Sequence, residues 1–306
     1  MKANRVVIGT RGSQLAMWQA HWAQAELKRH FKELAVDIEV IKTQGDRLSE
    51  VPLSQMGGKE VWTKEIEAAL LEGHIDLAVH SLKDLPTQLP SGLRLGAISA
   101  REDVRDVLIG QTFDCLKEGA HIGTSSLRRQ AQILHLRPDL HIEAIRGNVD
   151  TRLRKLNTEG FDAIVLASAG LRRLGLTVHI SEYLDPEHFL PAPGQAALGI
   201  EIRDHNEPVM GLITVLNDEN ANRAVTAERA MLAALGGGCR VPIGGLAVCQ
   251  KGKLILTGMV AMPDGSRLLR ESLMGNQADP AELGMRVAEK LHQQGAEDIL
   301  KTLTDN

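Results

Sequence analysis

Aromatic side chains are scarce in this chain. Three Trp, one Tyr and four Phe make up only 3% of 306 residues. A surface that stacks nucleic-acid bases needs aromatic faces, so a nucleic-acid partner is not expected. Long apolar runs are absent as well. None reaches the roughly 18 residues of a membrane span, and the opening "MKANRVVIGTRGS" passes into a strand-like run with no export-signal core. The expectation is a cytoplasmic protein with no membrane partner. Cysteine is nearly missing too. Cys115, Cys239 and Cys249 form no CxxC pair, and an odd count makes no disulfide framework. There is no HExxH, and the eleven histidines do not cluster at ligand spacing, so no metal site is expected.

What is present is ordinary for a soluble globular chain: 43% hydrophobic and 24% charged residues. The length suggests two or three domains. "RVVIGTR" reads as a strand. A helix follows from Ser13, its expected N-cap, with Leu15, Trp18, Trp22 and Ala25 on one face. "VDIEVIKT", "KEVWTKEIEAALLEG", "IDLAVHS" and "LRLGAIS" continue the alternation of strands and helices, which implies a parallel sheet covered on both faces. After about residue 100 the pattern restarts with "DVLIG", "HIGTSS", "LRRQAQILHL", "HIEAIRG", "VDTRLRKLN" and "FDAIVLASAG". "LPAPGQAALGIEIR" is a strand-like return after a Pro-Gly hinge. A helix then runs from about Asn220 to Leu235. The tail holds a hairpin pattern turning at Pro263-Asp264-Gly265, and an amphipathic helix starts near Pro280. The reading is two α/β lobes and a small α+β domain, with no internal repeat.

Chemistry concentrates at three places. "LGGGCRVPIGG" sets Cys239 among glycines that offer it no packing and leave the backbone free to approach a ligand. Cys115 and Cys249 read as small core residues. Residues 121–173 carry nine Lys/Arg against five acids, a local +4 in a chain of net −4. Such a basic lobe suits a small anionic ligand. Arg137, Arg154 and Lys155 read as a solvated helix face. In "GTSSLRR", Thr124, Ser126, Arg128 and Arg129 sit where a strand opens into a helix, a ready anion-binding mouth, and Arg146 ends a strand. "GTRGS" repeats the design with Arg11 and Ser13. Ligands of α/β sheets bind beyond the carboxyl ends of the strands, and two such mouths facing each other would line a cleft with arginine. "VHSLKDLP" brings Ser81, Lys83 and Asp84 to the same edge. Lys83 and Asp84 read either as a surface ion pair or as a carboxylate among cations, able to stabilise positive charge or move a proton. Residues 44–58 are an ordinary loop or a lid beside Lys59.

Six stretches, "IGTRGSQLA", "VHSLKDLP", "GTSSLRRQAQ", "IRGNVDTRLRKL", "PAPGQAALGIE" and "ERAMLAALGGGCRVPIGG", resemble the porphobilinogen deaminase family, in the family's order and across nearly the whole chain. The resemblance implies two periplasmic-binding-protein-like α/β lobes, at 1–99 with 197–217 and at 103–192, plus an α+β domain at 220–306 carrying the cysteine loop. It implies a dipyrromethane cofactor held by a thioether to Cys239, and stepwise condensation of four porphobilinogen molecules to hydroxymethylbilane with loss of ammonia. Asp84 matches the catalytic aspartate. Lys83, Ser81, Asp84, Thr124, Ser126, Arg128, Arg129 and Arg146 match cofactor contacts. Arg11, Ser13, Lys59, Arg146, Arg152, Arg173 and Gln195 match substrate contacts. A monomer with a transient hand-off to the next pathway enzyme is expected. Ala196, Gly236 and Trp62 depart from the family's common pattern. Two rivals explain less: a carboxylate-binding module leaves Cys239 and Asp84 idle, and an RNA-binding protein conflicts with the aromatic scarcity and net charge.

Overall fold

The computed structural model describes residues 4–43, 63–237 and 241–303. In chain order the helices and strands are β1 (Arg5–Thr10), α1 (Gln14–His30), β2 (Ala35–Val40), α2 (Lys64–Leu71), β3 (Leu77–Ser81), β4 (Leu93–Ile98), β5 (Asp106–Gly110), β6 (His121–Gly123), α3 (Leu127–Leu136), β7 (His141–Glu143), α4 (Val149–Thr158), β8 (Ala163–Ala167), α5 (Ser168–Arg173), β9 (Glu182–Tyr183), β10 (Leu198–Arg203), α6 (Glu207–Ile213), α7 (Glu219–Ala234), β11 (Ile243–Gln250), β12 (Lys253–Ala261), β13 (Leu268–Asn276), α8 (Pro280–Gln293) and α9 (Ala296–Lys301). They fall into two compact units, Met1–Glu102 with Ala197–Asn222, and Asp103–Ala196 with Arg223–Asn306.

The first unit is built on a five-stranded sheet in the order β2-β1-β3-β10-β4. β1 runs parallel to β2 and β3, whereas β10 lies antiparallel between β3 and β4. The expected all-parallel sheet is therefore mixed. The four strands of the first pass do share one direction. The exception is the strand that returns after residues 103–196, wedged in against them. The second unit repeats this: order β7-β6-β8-β5-β9, with β6 parallel to β7 and β8, and β5 antiparallel to β8 and β9. In each sheet the strand that first follows a crossing is antiparallel.

α1 covers one face of the first sheet, but not by the expected stripe. Gln19, Ala20, Ala23 and Leu27 are buried against Val6, Ile8, Leu77, Val79 and Ile200. Trp18 stays 36% exposed and Ala25 is exposed. Ala20 and Ala23 let the helix approach the sheet closely; of the expected stripe Trp22 packs half-buried against this core, whereas Trp18 is left at its side. Ile66, Leu70, Ile75, Ala78 and Leu93 form the core of the opposite face.

The C-terminal segment forms the antiparallel sheet β11-β12-β13, packed on α7 and α8 through Ala227, Met231, Leu256, Val287 and Leu291. The predicted turn is present: Asp264 Oδ1 accepts from the Ser266 N–H and hydroxyl. Two expectations fail here. The glycine-rich stretch is not all loop, because β11 begins at Ile243. A Cβ on Gly244 would lie 2.9 Å from Met259 Cγ and 3.0 Å from Leu190 Cβ, and one on Gly245 would lie 2.6 Å from Met231 Cε. These two glycines serve close packing rather than freedom of movement. Cys115, expected in the core, is exposed on a short turn; Cys249 is half-buried against the α7–α8 core.

Two of the three departures from the family pattern acquire a backbone reason. α7 ends in a Schellman motif: Gly236 N–H donates to Ala233 O and Gly237 N–H to Leu232 O, both at 2.9 Å. Gly236 has φ 65°, the left-handed conformation that glycine adopts without strain. Ala196 has φ 73° and keeps a glycine-like conformation despite its Cβ. Trp62 lies outside the described residues.

Candidate functional site

In the first unit, two parallel neighbours, β1 and β3, end at the same edge of the sheet. β1 delivers Arg11 and Ser13. Ser13 caps α1 as expected, its Oγ accepting the Ala16 N–H at 3.3 Å. β3 delivers Ser81 and then a single 3-10 turn, Leu82–Asp84. Leu82 is buried, and its N–H bonds to Ala197 O at 3.1 Å, so the turn is anchored from beneath. Lys83 is half-buried beside it and Asp84 stays exposed. Arg11, Ser13, Ser81 and Asp84 thus line one cavity.

Sequence reasoning missed part of that cavity's wall. Gln19, buried on α1, donates Nε2 to Ser81 Oγ at 2.7 Å and fixes that hydroxyl. Thr63 is buried, and its Oγ1 has no hydrogen-bond partner among the described residues. His80 also lines the cavity. Behind it, His80 Nε2 lies 2.9 Å from Glu201 Oε2, with the side chains 8% and 0% exposed. The signal for this pair was an ionisable residue in each of two mostly apolar strands, His80 in "LAVHS" and Glu201 in "LGIEIR".

In the second unit, β6 runs into Thr124, whose N–H donates to Glu143 O at 2.9 Å. Thr124 Oγ1 accepts the Ser126 N–H, and Ser126 Oγ caps α3 by accepting the Arg129 N–H. The two arginines of "SSLRR" are not a solvent-facing pair. They are 4% and 6% exposed and close on one carboxylate, Asp106 at the start of β5. Arg129 Nη2 donates to Asp106 Oδ1 at 2.7 Å and Nη1 to Val165 O at 2.8 Å. Arg128 Nη1 donates to Leu190 O and lies 2.8 Å from Asp106 Oδ2, an ion-pair contact rather than a well-directed hydrogen bond. Gln195, fully buried, donates Nε2 to the same Oδ1 at 2.9 Å and to Val104 O at 2.8 Å. Burial works to raise the Asp106 pKa. The charges of Arg128 and Arg129, with the hydrogen bond from Arg129, outweigh it and hold the carboxyl well below its ordinary 3.8. Two guanidinium groups on one carboxylate leave one net positive charge. Arg129 Nε is buried without a hydrogen-bond partner among the described residues.

The other predicted residues lie close by in sequence but are held separately. Arg146 is half-buried just after Ile145. Arg152 Nε donates to Gly147 O at 2.8 Å, and Arg173 Nη2 to Ala196 O at 2.6 Å. Buried Glu228 of α7 accepts the Gly194 and Ala247 N–H groups, each at 2.7 Å. That carboxylate ties the Pro-Gly turn to β11, which leads away from the glycine-cysteine segment. Cys239, Lys59 and the 44–58 segment fall outside the described residues.

Comparison with known proteins gives a consistent result. The family model for the porphobilinogen deaminase dipyrromethane cofactor-binding domain matches residues 6–211, and that for the porphobilinogen deaminase C-terminal domain matches residues 222–293. The chain is 50% identical over 302 residues to the porphobilinogen deaminase of Geobacter metallireducens, covering 98% of this chain and 95% of the relative. It is 48% identical over 303 residues to that of Pelobacter propionicus, covering 98% of each. Solved binding proteins resemble it only loosely. The probable amino-acid transporter binding protein ytmK of Bacillus subtilis superposes with a TM-score of 0.44 at 9% identity, over 70% of this chain and 91% of that one.

Proposed function

This chain belongs to the porphobilinogen deaminase family, and on that footing we propose which of its residues carry the family's reaction. The enzyme is a transferase of tetrapyrrole biosynthesis that joins four porphobilinogen molecules head to tail into hydroxymethylbilane and releases ammonia, with dipyrromethane as its cofactor. When bound, that cofactor would supply the free pyrrole carbon to which the first ring is joined, each later ring joining the free end of the chain.

The donor set fits such a group. Each porphobilinogen-derived ring carries two carboxylates. Arg11 offers a cation beside the hydroxyls of Ser13 and Ser81. Thr63 Oγ1, without a hydrogen-bond partner among the described residues, is a further polar group in the same cavity wall, and Lys83 stands on the turn between Ser81 and Asp84. Asp84 is the catalytic carboxylate. At the open end of an anchored turn it accepts the substrate's pyrrole N–H and stabilises positive charge there as ammonia leaves. It also takes up and returns a proton at its own carboxylate oxygen. Arg11, Ser13, Lys59, Arg146, Arg152, Arg173 and Gln195 hold substrate carboxylates or order the groups that do. Ser81, Lys83, Thr124, Ser126, Arg128, Arg129 and Arg146 hold those of the cofactor. Asp106 sets the two guanidinium planes while leaving them a net positive charge. Cys239 is the attachment point. The Schellman end of α7 and the start of β11 fix the chain on either side of it.

The observation that carries this reading is the convergence of Arg11, Ser13, Ser81 and Asp84 on one cavity. Asp84→Asn tests it. Turnover, read as ammonia release, should fall by about 100-fold or more, while the intact mass still shows two linked pyrrole units. The same mass measurement on Cys239→Ser should show no added pyrroles. Near-normal turnover in Asp84→Asn would refute the catalytic role.

We further take the functional domains to be 1–99 with 197–217, 103–192 and 220–306, the last two packed as one compact unit. The protein acts as a cytoplasmic monomer that hands its product transiently to the next enzyme, without metal, nucleic-acid or membrane partners in that reaction. Among the described residues no helix is long and apolar enough to cross a membrane.

A further inference from the structure

Three potential metal ligands that are far apart in sequence meet on the edge of the second sheet. β6 and β7 pair in parallel, with His121 opposite His141 and Gly123 opposite Glu143. The two imidazole centroids are 4.7 Å apart, and His121 Nδ1 lies 3.9 Å from Glu143 Oε2. One ligand atom from each of the three residues lies within 4.8 Å of the others. Around a tetrahedral Zn²⁺ with bonds of about 2.0–2.2 Å, ligand atoms stand roughly 3.3 Å apart. The three side chains are exposed, so rotation about their own bonds can close that gap. A second carboxylate-bearing side chain, Asp162, accepts the His121 backbone N–H at 2.8 Å from the β8 side of β6 and so fixes the backbone that carries this ligand.

We propose that His121, His141 and Glu143 form a binding site for one borderline divalent cation of the Zn²⁺ or Co²⁺ type, with water completing the coordination. Two imidazoles select such ions over Mg²⁺ and Ca²⁺, which prefer all-oxygen shells. The cation staples β7, a three-residue edge strand with β6 as its sheet neighbour, at a consequential place. The ladder it closes continues directly through Thr124 N–H to Glu143 O and Ser125 Oγ to Ile145 O, the backbone that carries Thr124 and Arg146. The site does not depend on the assignments made to those two residues.

The test is calorimetric titration of the EDTA-stripped, dialysed full chain with zinc chloride alone. The expected result is one saturable equivalent, weakened by at least about tenfold in His121→Ala or His141→Ala, the lower end of what even outer-shell partners contribute. The double variant should lose it, and zinc should raise the Tm of the parent but not of the double variant. Glu143→Gln, which keeps the side chain's shape, gives a second reading should a histidine variant fold poorly. Cys115→Ser and Cys239→Ser should bind zinc as the parent does, and the Co²⁺ complex should lack a thiolate charge-transfer band. Absence of a saturable equivalent in the parent, or retention of it in the double variant, overturns the proposal.

Discussion

Replacing Asp106 by asparagine keeps the size of the side chain and its Oδ1 acceptor but removes the charge that holds two buried arginines. Arg128 and Arg129 are 4% and 6% exposed, so neither can turn outward to recover water. Removing one partner of a buried ion pair costs about 3–5 kcal/mol, because the remaining charge stays desolvated. The amide still accepts from Arg129 and Gln195, so the lower end, about 3 kcal/mol, applies. With a urea m-value of about 1–3 kcal/mol/M, the midpoint of the unit containing Asp106 should move down by roughly 1–3 M. The pH dependence supplies an independent sign. The folded pKa of Asp106 lies below its ordinary 3.8. Its contribution is therefore fully present above about pH 4 and is lost as pH falls below that value toward the folded pKa. In that acid range the unfolded chain holds a proton that the folded one lacks, so parent stability drops by up to about 1.4 kcal/mol per pH unit through this group. Asp106→Asn has no such group to titrate. Urea denaturation followed by circular dichroism at pH 7, 4 and 3 measures both effects. The stability difference should be largest at pH 7 and shrink with acid. A loss below about 1 kcal/mol at pH 7, or a difference that grows with acid, would refute the argument that Asp106 is the essential counter-ion.

Ala196→Gly should stabilise the protein by roughly 0.5–1 kcal/mol, since the left-handed φ of 73° costs an alanine about 1–2 kcal/mol and glycine's extra unfolded-state entropy returns only part of it; a lower melting temperature would show that the Cβ contributes packing that outweighs its strain. Gln19→Ala should cost about 1–3 kcal/mol by leaving Ser81 Oγ without its donor, and should raise KM more than it lowers kcat; an unchanged KM would detach Gln19 from the cavity.

What could be read in advance was local. Ser13 was legible as a cap because the cap, the helix start and the preceding strand lie within a few residues. The turn at Asp264 and the carboxyl-edge positions of Arg11, Ser81 and Asp84 were legible for the same reason. The direction of β10 and β5 was not, because alternation of strands and helices fixes the crossovers between neighbours and says nothing of a strand returning from another unit. The buried face of α1 was misread because the widest apolar stripe is not the one that packs when alanines permit a closer approach. The site partners were hidden by distance along the chain: His80 and Glu201 are 121 positions apart, Asp106 and Arg129 are 23, and Glu228 bonds backbone groups 34 and 19 positions away.

These hidden groups nevertheless have a common trace. Asp106 opens "DVLIG", Glu201 interrupts "LGIEIR" and Glu228 lies in the buried part of α7, and each is fully buried. An acid in a run that must leave water signals an obligatory partner, since an unpaired buried carboxylate costs far more than a fold can spare. The sequence therefore shows that a partner must exist, but its identity follows from strand order. β10 brings Glu201 beside His80 because it inserts next to β3. Asp106 meets Arg129 because β5 and β8 pair so that Asp106 stands opposite Ala167, one step from the Val165–Leu166 backbone that the same arginine grips. The same logic separates the two kinds of arginine in the basic lobe. A count of charges treats every arginine alike, yet Arg128 and Arg129 are buried on one shared counter-ion, Asp106. Their removal should therefore unsettle folding as well as binding, which a count of positive charge would not predict.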